Sequence, residues 1–205
     1  PVLDSEKLLG IPRDISDERA AALLPKGLVA RVLVKEAHAV GGRETVLVHA
    51  AAGLLGSLIV AWAKSLGATV IATVGSAEAR ARALRAGADQ VIVFGEEDIP
   101  GRVLAITGGR GVDAVYDGVG EATAEASLAS LRRGGELVLY GRGSREVRDE
   151  DQDVTVLRPR LSDHLRGGSI QQGAADRCRA SRAGAFDGGD TAQLVTGPAA
   201  VALAA

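Results

Sequence analysis

The amino-acid sequence predicts an α/β fold, a doubly wound parallel sheet, followed by a poorly structured C-terminal tail. Two observations predict the sheet. Short β-branched segments alternate with helical segments between about residues 45 and 141, and these strands are apolar at successive positions, as strands covered on both faces are. A turn of small residues also joins the first strand to the next helix. Because crossovers between parallel strands are right-handed, this order gives a Rossmann-type domain.

The apolar runs and their punctuation place each element. Strands are predicted at Thr45–His49, Thr69–Val74, Gln90–Phe94, Ala114–Tyr116 and Glu136–Tyr140. Helices are predicted at Gly56–Leu66, Ala77–Ala86, Asp98–Thr107 and Ala122–Leu131. Ahead of them, a helix is predicted to begin after Ser16, to be interrupted by Pro25 and to resume over Lys26–Ala37; a proline removes a helical hydrogen bond.

Three regions follow from these patterns. Residues 1–40 form a helical lead-in, residues 41–160 the dinucleotide-binding domain and residues 161–205 an irregular or disordered tail. Before the tail, the charged run Arg145–Asp153 precedes Val154–Pro159, which is predicted as a last strand. Arg166–Gly189 has few large apolar residues, so it can bury little surface. This tail is either a frame-shifted continuation or an ordinary diverged C-terminus.

Composition excludes several classes of function. The net charge is only −2, which does not favour binding to nucleic acid or to an anionic membrane. The single cysteine, Cys178, allows neither a disulfide framework nor a cysteine zinc site, and His38 and His164 have no companion ligands in the sequence. There is no long apolar run and no signal-peptide pattern. We therefore expect a cytoplasmic protein without a metal.

The turn after the first strand predicts a pyrophosphate site. Ala51, Gly53 and Gly56 occupy the three small-residue positions of a Gly-x-Gly-x-x-Gly spacing. Small residues allow the backbone to approach phosphates closely, and the N-terminus of the following helix supplies free N–H groups and a positive dipole end. Leu54 and Leu55 of the turn are included in the predicted site. The alternative is that the small residues serve only the packing of the helix on the sheet.

The end of the second strand favours NADPH over NADH. A carboxylate there would bind the ribose 2′-hydroxyl of NADH and repel a 2′-phosphate, but Gly75 and Ser76 follow the strand and no carboxylate precedes Glu78. Arg80 or Arg82 could grip the 2′-phosphate, because a guanidinium binds phosphate in a bidentate manner. The alternative is that both arginines belong to a solvated helix face.

Several segments in the same order resemble one family. They are Ile15–Ala22, Lys26–Leu28, His49–Gly53, Trp62–Ile71, Thr73–Ser76, Ile106–Asp113, Val115–Asp117 and Leu131–Arg132. Together they resemble the zinc-independent quinone oxidoreductases (NADPH:quinone reductase, zeta-crystallin-like) of the medium-chain dehydrogenase/reductase family. The resemblance extends from about Ile11 to Gly143.

This resemblance implies NADPH-dependent reduction of a small quinone or an activated alkene such as an enone. Members have a GroES-like catalytic domain, which would precede Pro1, so we expect this chain to hold the nucleotide domain alone. The resemblance also implies a homodimer formed through the sheet edge. No catalytic acid can be named from this chain.

The resemblance assigns further residues to the cofactor site. It implies that Phe94 stacks on adenine and that Val119, Tyr140, Gly141 and Arg142 line the nicotinamide ribose. Where Ala79 and Leu54 stand, members usually have a lysine and a small residue, so we expect weaker binding here. His49 is interpreted as a packing residue, and Tyr116 and Asp117 as strand-end residues near the cofactor without an acid–base role.

Two other functions remain open. The chain could be a nucleotide-binding or dimerisation remnant without catalysis. It could also be an enoyl reductase domain of a polyketide synthase, which shares the Ala50–Gly53 turn; the absence of flanking linker sequence argues against that reading.

Overall fold

A six-stranded parallel sheet organises the chain. The computed structural model describes residues 11, 16–141 and 153–160. The strands are β1 (Thr45–Val48), β2 (Thr69–Val74), β3 (Gln90–Val93), β4 (Val112–Asp117), β5 (Leu131–Leu139) and β6 (Thr155–Leu157). Their order across the sheet is β3-β2-β1-β4-β5-β6, and every neighbouring pair is parallel. The predicted doubly wound α/β fold is confirmed.

Five α-helices cover the two faces of the sheet. They are α1 (Asp17–Val32), α2 (Leu54–Ser65), α3 (Arg80–Arg85), α4 (Ile99–Ile106) and α5 (Glu121–Ser130). A π-helical turn, Leu33–Ala37, extends α1, and a 3-10 turn, Ala77–Ala79, precedes α3. The boundaries lie close to those predicted, except that β5 begins five residues earlier, at Leu131 rather than Glu136.

Alternate strand residues enter two separate cores. In β1, Val46 and Val48 pack with apolar side chains of α1, α2 and α3, whereas Leu47 packs with Ile99 and Val103 of α4 on the other face. All three β1 residues are fully buried. Because both faces are covered, the strands need apolar side chains at successive positions.

One predicted helix break is wrong. The sequence predicts an interruption at Pro25, yet α1 runs through it. Pro25 is exposed, and so is Ala21, whose carbonyl loses its helical partner and can bond to water instead. The helix buries Leu23 before Pro25 and Leu28 after it, and this burial on both sides of the proline in the sequence offsets the lost hydrogen bond.

The predicted last strand is confirmed at its centre, because Thr155–Leu157 pairs with Glu136–Val138. Most of the preceding charged run and the whole 161–205 tail lie outside the described residues, so their predicted structure is not addressed. In the part of the chain that is described, no helix is long and apolar enough to cross a membrane.

Candidate dinucleotide-binding site

The strand order reverses between β1 and β4, and this places the candidate site. From β1 the chain proceeds outward to β2 and β3, and then returns to the other side of β1 with β4. The helices leave the sheet at the carboxyl ends of the strands, so two neighbouring loops diverge at this point. In open parallel sheets, ligands bind in the crevice that such diverging loops form.

The turn that follows β1 is held in a fixed shape by backbone bonds. Ala50 has a φ of 51°, a left-handed conformation that costs energy for a residue with a side chain. The Ala50 carbonyl accepts the Gly53 N–H at 2.9 Å, and the Ala51 N–H donates to the Thr73 carbonyl of β2 at 2.9 Å. The turn is thus tied to the neighbouring strand.

Gly56 allows α2 to approach this turn closely. A methyl group at Gly56 would overlap the Ala50 carbonyl oxygen and lie 2.9 Å from Ala51 Cα. Leu54, Leu55 and Gly56 are the first three residues of α2, so their N–H groups have no acceptor inside the helix. The turn therefore joins a close backbone approach to free donors and a positive dipole end, a combination that suits a pyrophosphate.

At the end of β2, Gly75 is exposed and Ser76 begins the 3-10 turn. Hydrogen bonds from the Ser76 side chain and from the Glu78 backbone N–H lower the pKa of the exposed Glu78 carboxyl. Ser76 is therefore accompanied by a carboxylate, which the sequence analysis did not include among the site residues.

Arg80 is already bonded within the protein. Its guanidinium donates to the Val91 carbonyl at 2.7 Å and to Glu97 Oε1 at 2.6 Å. The Glu97 carboxylate also accepts the Val93 N–H at 2.9 Å and lies 3.2 Å from Arg102 Nε. Arg80 would have to leave Glu97 to grip a phosphate, while Arg82 is exposed.

Two large apolar side chains remain exposed beyond the carboxyl ends of strands. Phe94 follows β3 with 43% of its surface exposed, and Val119 follows β4 with 40% exposed. They lie on opposite sides of the strand reversal, and their predicted contacts with adenine and with the nicotinamide ribose stay predictions.

The end of β5 packs tightly against the end of β4. A side chain on Gly118 would meet the Tyr140 ring at 2.5 Å, and one on Gly141 would lie 2.7 Å from the Gly118 carbonyl. Burial, with a contribution from the Asp117 charge, raises the pKa of the Tyr140 phenol above its usual range. Arg142 lies outside the described residues.

Asp117, at the end of β4, is fully buried and accepts four hydrogen bonds. Its Oδ1 accepts the N–H groups of Val119 and Gly120 at 2.8 and 2.9 Å. Its Oδ2 accepts the hydroxyls of Thr123 and Ser127, both at 2.7 Å. Both carboxylate oxygens are therefore engaged within the protein, where they fix the Gly118–Gly120 loop and the start of α5.

His49 continues this buried network across the sheet. Its Nε2 lies 3.0 Å from Ser127 Oγ, and its Nδ1 lies 2.9 Å from Thr73 Oγ1. Burial lowers the pKa of His49, and the Asp117 charge only partly opposes this, so the ring is neutral at pH 7. The network assigns His49 to a polar joint between strands and helix rather than to simple apolar packing.

Sequence reasoning missed the three hydroxyl residues of this network. Thr123 and Ser127 are four residues apart in α5, so they lie on one helix face, and Thr73 lies inside an apolar strand. Such spacing, with a histidine after β1 and an aspartate after β4, is the signal that could have found them.

The described residues give no metal centre. No group of three or more His, Cys, Asp or Glu side chains that could hold a metal ion occurs among them. His38 is paired instead with two carboxylates, Glu136 at 2.6 Å and Glu44 at 3.0 Å.

Comparisons with known proteins give the family. Residues 55–177 match the family model described as zinc-binding dehydrogenase. The quinone oxidoreductase of Salmonella typhimurium is 48% identical over 143 residues, which are 70% of this chain and 44% of that protein. The chain thus spans about half the length of the curated relatives that it matches.

Solved structures agree with this match. The quinone oxidoreductase of Pseudomonas syringae is similar with a TM-score of 0.84 and 36% identity, over 90% of this chain and 59% of that one. The Escherichia coli quinone oxidoreductase complexed with NADPH gives a TM-score of 0.79 and 36% identity, over 86% and 57%. This chain belongs to the zinc-binding dehydrogenase family, within the medium-chain dehydrogenases/reductases.

Proposed function

We propose that the chain is the NADPH-binding part of an oxidoreductase that reduces quinones or activated alkenes. The observation that carries the proposal is the Ala50–Gly56 turn at the strand reversal, where α2 packs closely on the turn at Gly56 and begins with free helix N–H groups. Relatives named quinone oxidoreductase and 2-haloacrylate reductase support the reaction class, and an NADPH complex of one relative supports the cofactor.

Each part of the dinucleotide has candidate residues in this proposal. The pyrophosphate would lie against Ala51, Gly53, Leu54, Leu55 and Gly56. The adenosine half would meet Gly75, Ser76, Arg80 and Phe94, with Arg80 released from Glu97 to reach the 2′-phosphate. The nicotinamide ribose would meet Val119, Tyr140, Gly141 and Arg142.

The contribution of the chain is binding and orientation. Bound NADPH supplies a hydride for reduction of a substrate carbon or a quinone. The backbone donors of the turn neutralise phosphate charge, and the packed Gly118–Tyr140 contact fixes one wall of the nicotinamide side. The Tyr140 phenol can donate a hydrogen bond at neutral pH, as an ordinary tyrosine can, and its raised pKa extends this protonated range further into the alkaline region.

Two other functions stand as alternatives. A nucleotide-binding module without turnover is favoured by the absence of a side chain in the described site that is placed as a catalytic acid. A polyketide synthase enoyl reductase is less favoured, because the matched synthase is less similar to this chain than the Salmonella quinone oxidoreductase is. We also propose a cytoplasmic location, and a homodimer formed through the edge strand β6.

Titration with NADPH and NADH, followed by calorimetry, tests the binding proposal. We expect saturable binding of NADPH, tighter than that of NADH and weaker than in full-length relatives. The variant Arg80→Ala should weaken NADPH binding more than NADH binding, and Arg82→Ala tests whether the other arginine candidate contributes to the same discrimination. The absence of dinucleotide binding would refute the proposal.

Oxidation of NADPH by a simple quinone, measured by the loss of absorbance, separates the first two functions. Turnover supports the reductase. Binding without turnover by this chain supports the non-catalytic module.

A further inference from the structure

We propose that Ser127 is a positioning residue for the nicotinamide half of the dinucleotide. It acts through a buried chain of hydrogen bonds, Thr73–His49–Ser127–Asp117, which joins the pyrophosphate turn to the Gly118–Gly120 loop. This inference rests on the proposed dinucleotide function and assigns a role that the predicted contact residues do not include.

The two ends of this series of hydrogen bonds hold two different parts of the site. At one end, the Thr73 backbone carbonyl accepts the Ala51 N–H of the pyrophosphate turn at 2.9 Å, and His49 directly precedes that turn. At the other end, Asp117 Oδ1 accepts the Val119 and Gly120 N–H groups. Ser127 of α5 connects them.

The direction of the hydrogen bonds is fixed by chemistry. The Ser127 hydroxyl donates its single hydrogen to Asp117 Oδ2 at 2.7 Å, so Ser127 Oγ must accept from His49 Nε2. The neutral His49 ring then has Nδ1 as an acceptor, and the Thr73 hydroxyl donates to it at 2.9 Å. Each group has one arrangement. Loss of the Ser127 hydroxyl acts directly on Asp117, whereas the pyrophosphate turn keeps its own backbone bond between the Ala51 N–H and the Thr73 carbonyl.

Burial makes this series of hydrogen bonds rigid. His49, Ser127 and Asp117 have no exposed surface, and Thr73 has 2%, so water cannot easily replace a missing partner. A buried donor or acceptor left without a partner is costly, and a fully bonded network specifies one geometry. Removal of the Ser127 hydroxyl would leave His49 Nε2 without its acceptor and Asp117 with one donor fewer.

The effect should be uneven along the dinucleotide. Asp117 controls the loop after β4, which lies on the nicotinamide side of the strand reversal, whereas the adenosine contacts follow β2 and β3 on the other side. A loosened loop should weaken the hold on the nicotinamide half and leave the adenosine half unchanged.

The test uses the full 205-residue chain with the variant Ser127→Ala. Calorimetry gives the Kd for NADPH and for adenosine 2′,5′-bisphosphate, which lacks the nicotinamide half. We expect the NADPH Kd to rise roughly five- to tenfold, the effect of losing about one hydrogen bond, and the bisphosphate Kd to change less than twofold. The emission of the bound reduced nicotinamide should shift toward that of free NADPH.

Ser130→Ala is the matched control. Ser130 lies in the same helix and is equally buried, but its hydroxyl donates to the Ala126 carbonyl at 2.6 Å. It does not take part in the hydrogen bonds that link Thr73 to Asp117. It should leave both Kd values unchanged. If Ser127→Ala does not fold, Ser127→Cys provides a second test, because it keeps a similar side-chain volume and a weak hydrogen-bond donor. It should also raise the NADPH Kd more than the bisphosphate Kd, but by a smaller factor.

The outcomes distinguish the two proposals. If the unmodified chain binds neither ligand, the dinucleotide function fails. If it binds both and the Ser127 variants change both Kd values equally, or change neither, the positioning role is overturned while the dinucleotide function stands.

Discussion

The two aspartates of β4 show how differently the two ends of this sheet are built. Asp113 and Asp117 stand four residues apart in one strand, and both are buried. Asp113, near the amino end, has cationic partners, because Arg110 and Arg132 both bond to its Oδ1, at 2.8 and 2.7 Å. Asp117, at the carboxyl end, has backbone N–H groups and hydroxyls as partners.

Electrostatics explains the difference in environment. Burial disfavours the charged form of Asp113, yet hydrogen bonds from the two arginines and from the Thr45 N–H hold its pKa well below its usual range. Arg110 and Arg132 are partly exposed, so water and salt reach this cluster. Asp117 is closed off from water and depends on fixed dipoles.

The comparison separates an end of the sheet with a structural role from the end where the proposed dinucleotide site lies. In parallel sheets the ligand meets the carboxyl ends of the strands, and there rigid loops are required. The amino ends need only stabilise the fold. Ion pairs whose arginines are partly exposed do this, with a modest gain in the free energy of unfolding. Four predictions test this division.

The largest effect is expected for Asp117→Ala. The change leaves two backbone donors and two hydroxyls without their acceptor in a buried site, so it should lower the free energy of unfolding by about 3 kcal/mol or more. Urea denaturation measures this. A loss below about 1 kcal/mol would contradict the view that the buried network holds this end.

Gly56→Ala should follow closely. The added methyl group overlaps the Ala50 carbonyl, so the turn or α2 must shift, at a cost of about 2–3 kcal/mol. NADPH binding, measured by calorimetry, should be lost. Gly75→Ala is the control for stability, because a side chain there meets nothing within 4 Å.

Asp113→Ala should cost less than the same change at position 117, about 1–2 kcal/mol, because the freed arginines can be hydrated. The lowered pKa of Asp113 stabilises the fold above the unfolded value of about 3.9, and this contribution is lost as the pH falls below it. The difference between the unmodified chain and the variant should therefore shrink below about pH 4. Urea denaturation at a series of pH values measures this. A difference in the free energy of unfolding that stays constant into the acid range would contradict the predicted role of the Asp113 charge.

The smallest effect concerns pH and His49. Its lowered pKa means that the unfolded chain binds a proton below about pH 6.5 and the folded chain does not. The stability contributed by this neutral histidine is present above that pH and decreases as the pH falls, by at most about 1.4 kcal/mol per pH unit. In His49→Gln the unfolding free energy should change less between pH 7.5 and 5.5. Equal slopes in the two proteins would show that His49 can be protonated in the folded state.

The predictable part of this protein rests on local patterns. Runs such as Thr69–Val74 are continuous in the sequence, and the observed β2 has the same bounds, because strands buried on both faces are apolar at most successive positions. The turn at Ala51, Gly53 and Gly56 was found in the same way, since close backbone approach restricts residue size.

Other features depend on contacts between distant residues. The chemistry of Pro25 predicts a break in the first helix, yet burial of Leu23 before it and Leu28 after it keeps α1 continuous. Arg80 was a phosphate candidate by position, but its pairing with Glu97, 17 residues away, is a tertiary contact.

The sequence by itself determined the doubly wound sheet and the small-residue turn, because both are written in neighbouring residues through steric and periodic constraints. Only the tertiary structure decided that His49, Ser127 and Asp117 form one buried network. The hydrogen bond between His49 and Ser127 joins residues that are 78 positions apart in the sequence. No local rule specifies which buried polar groups will form hydrogen bonds with one another.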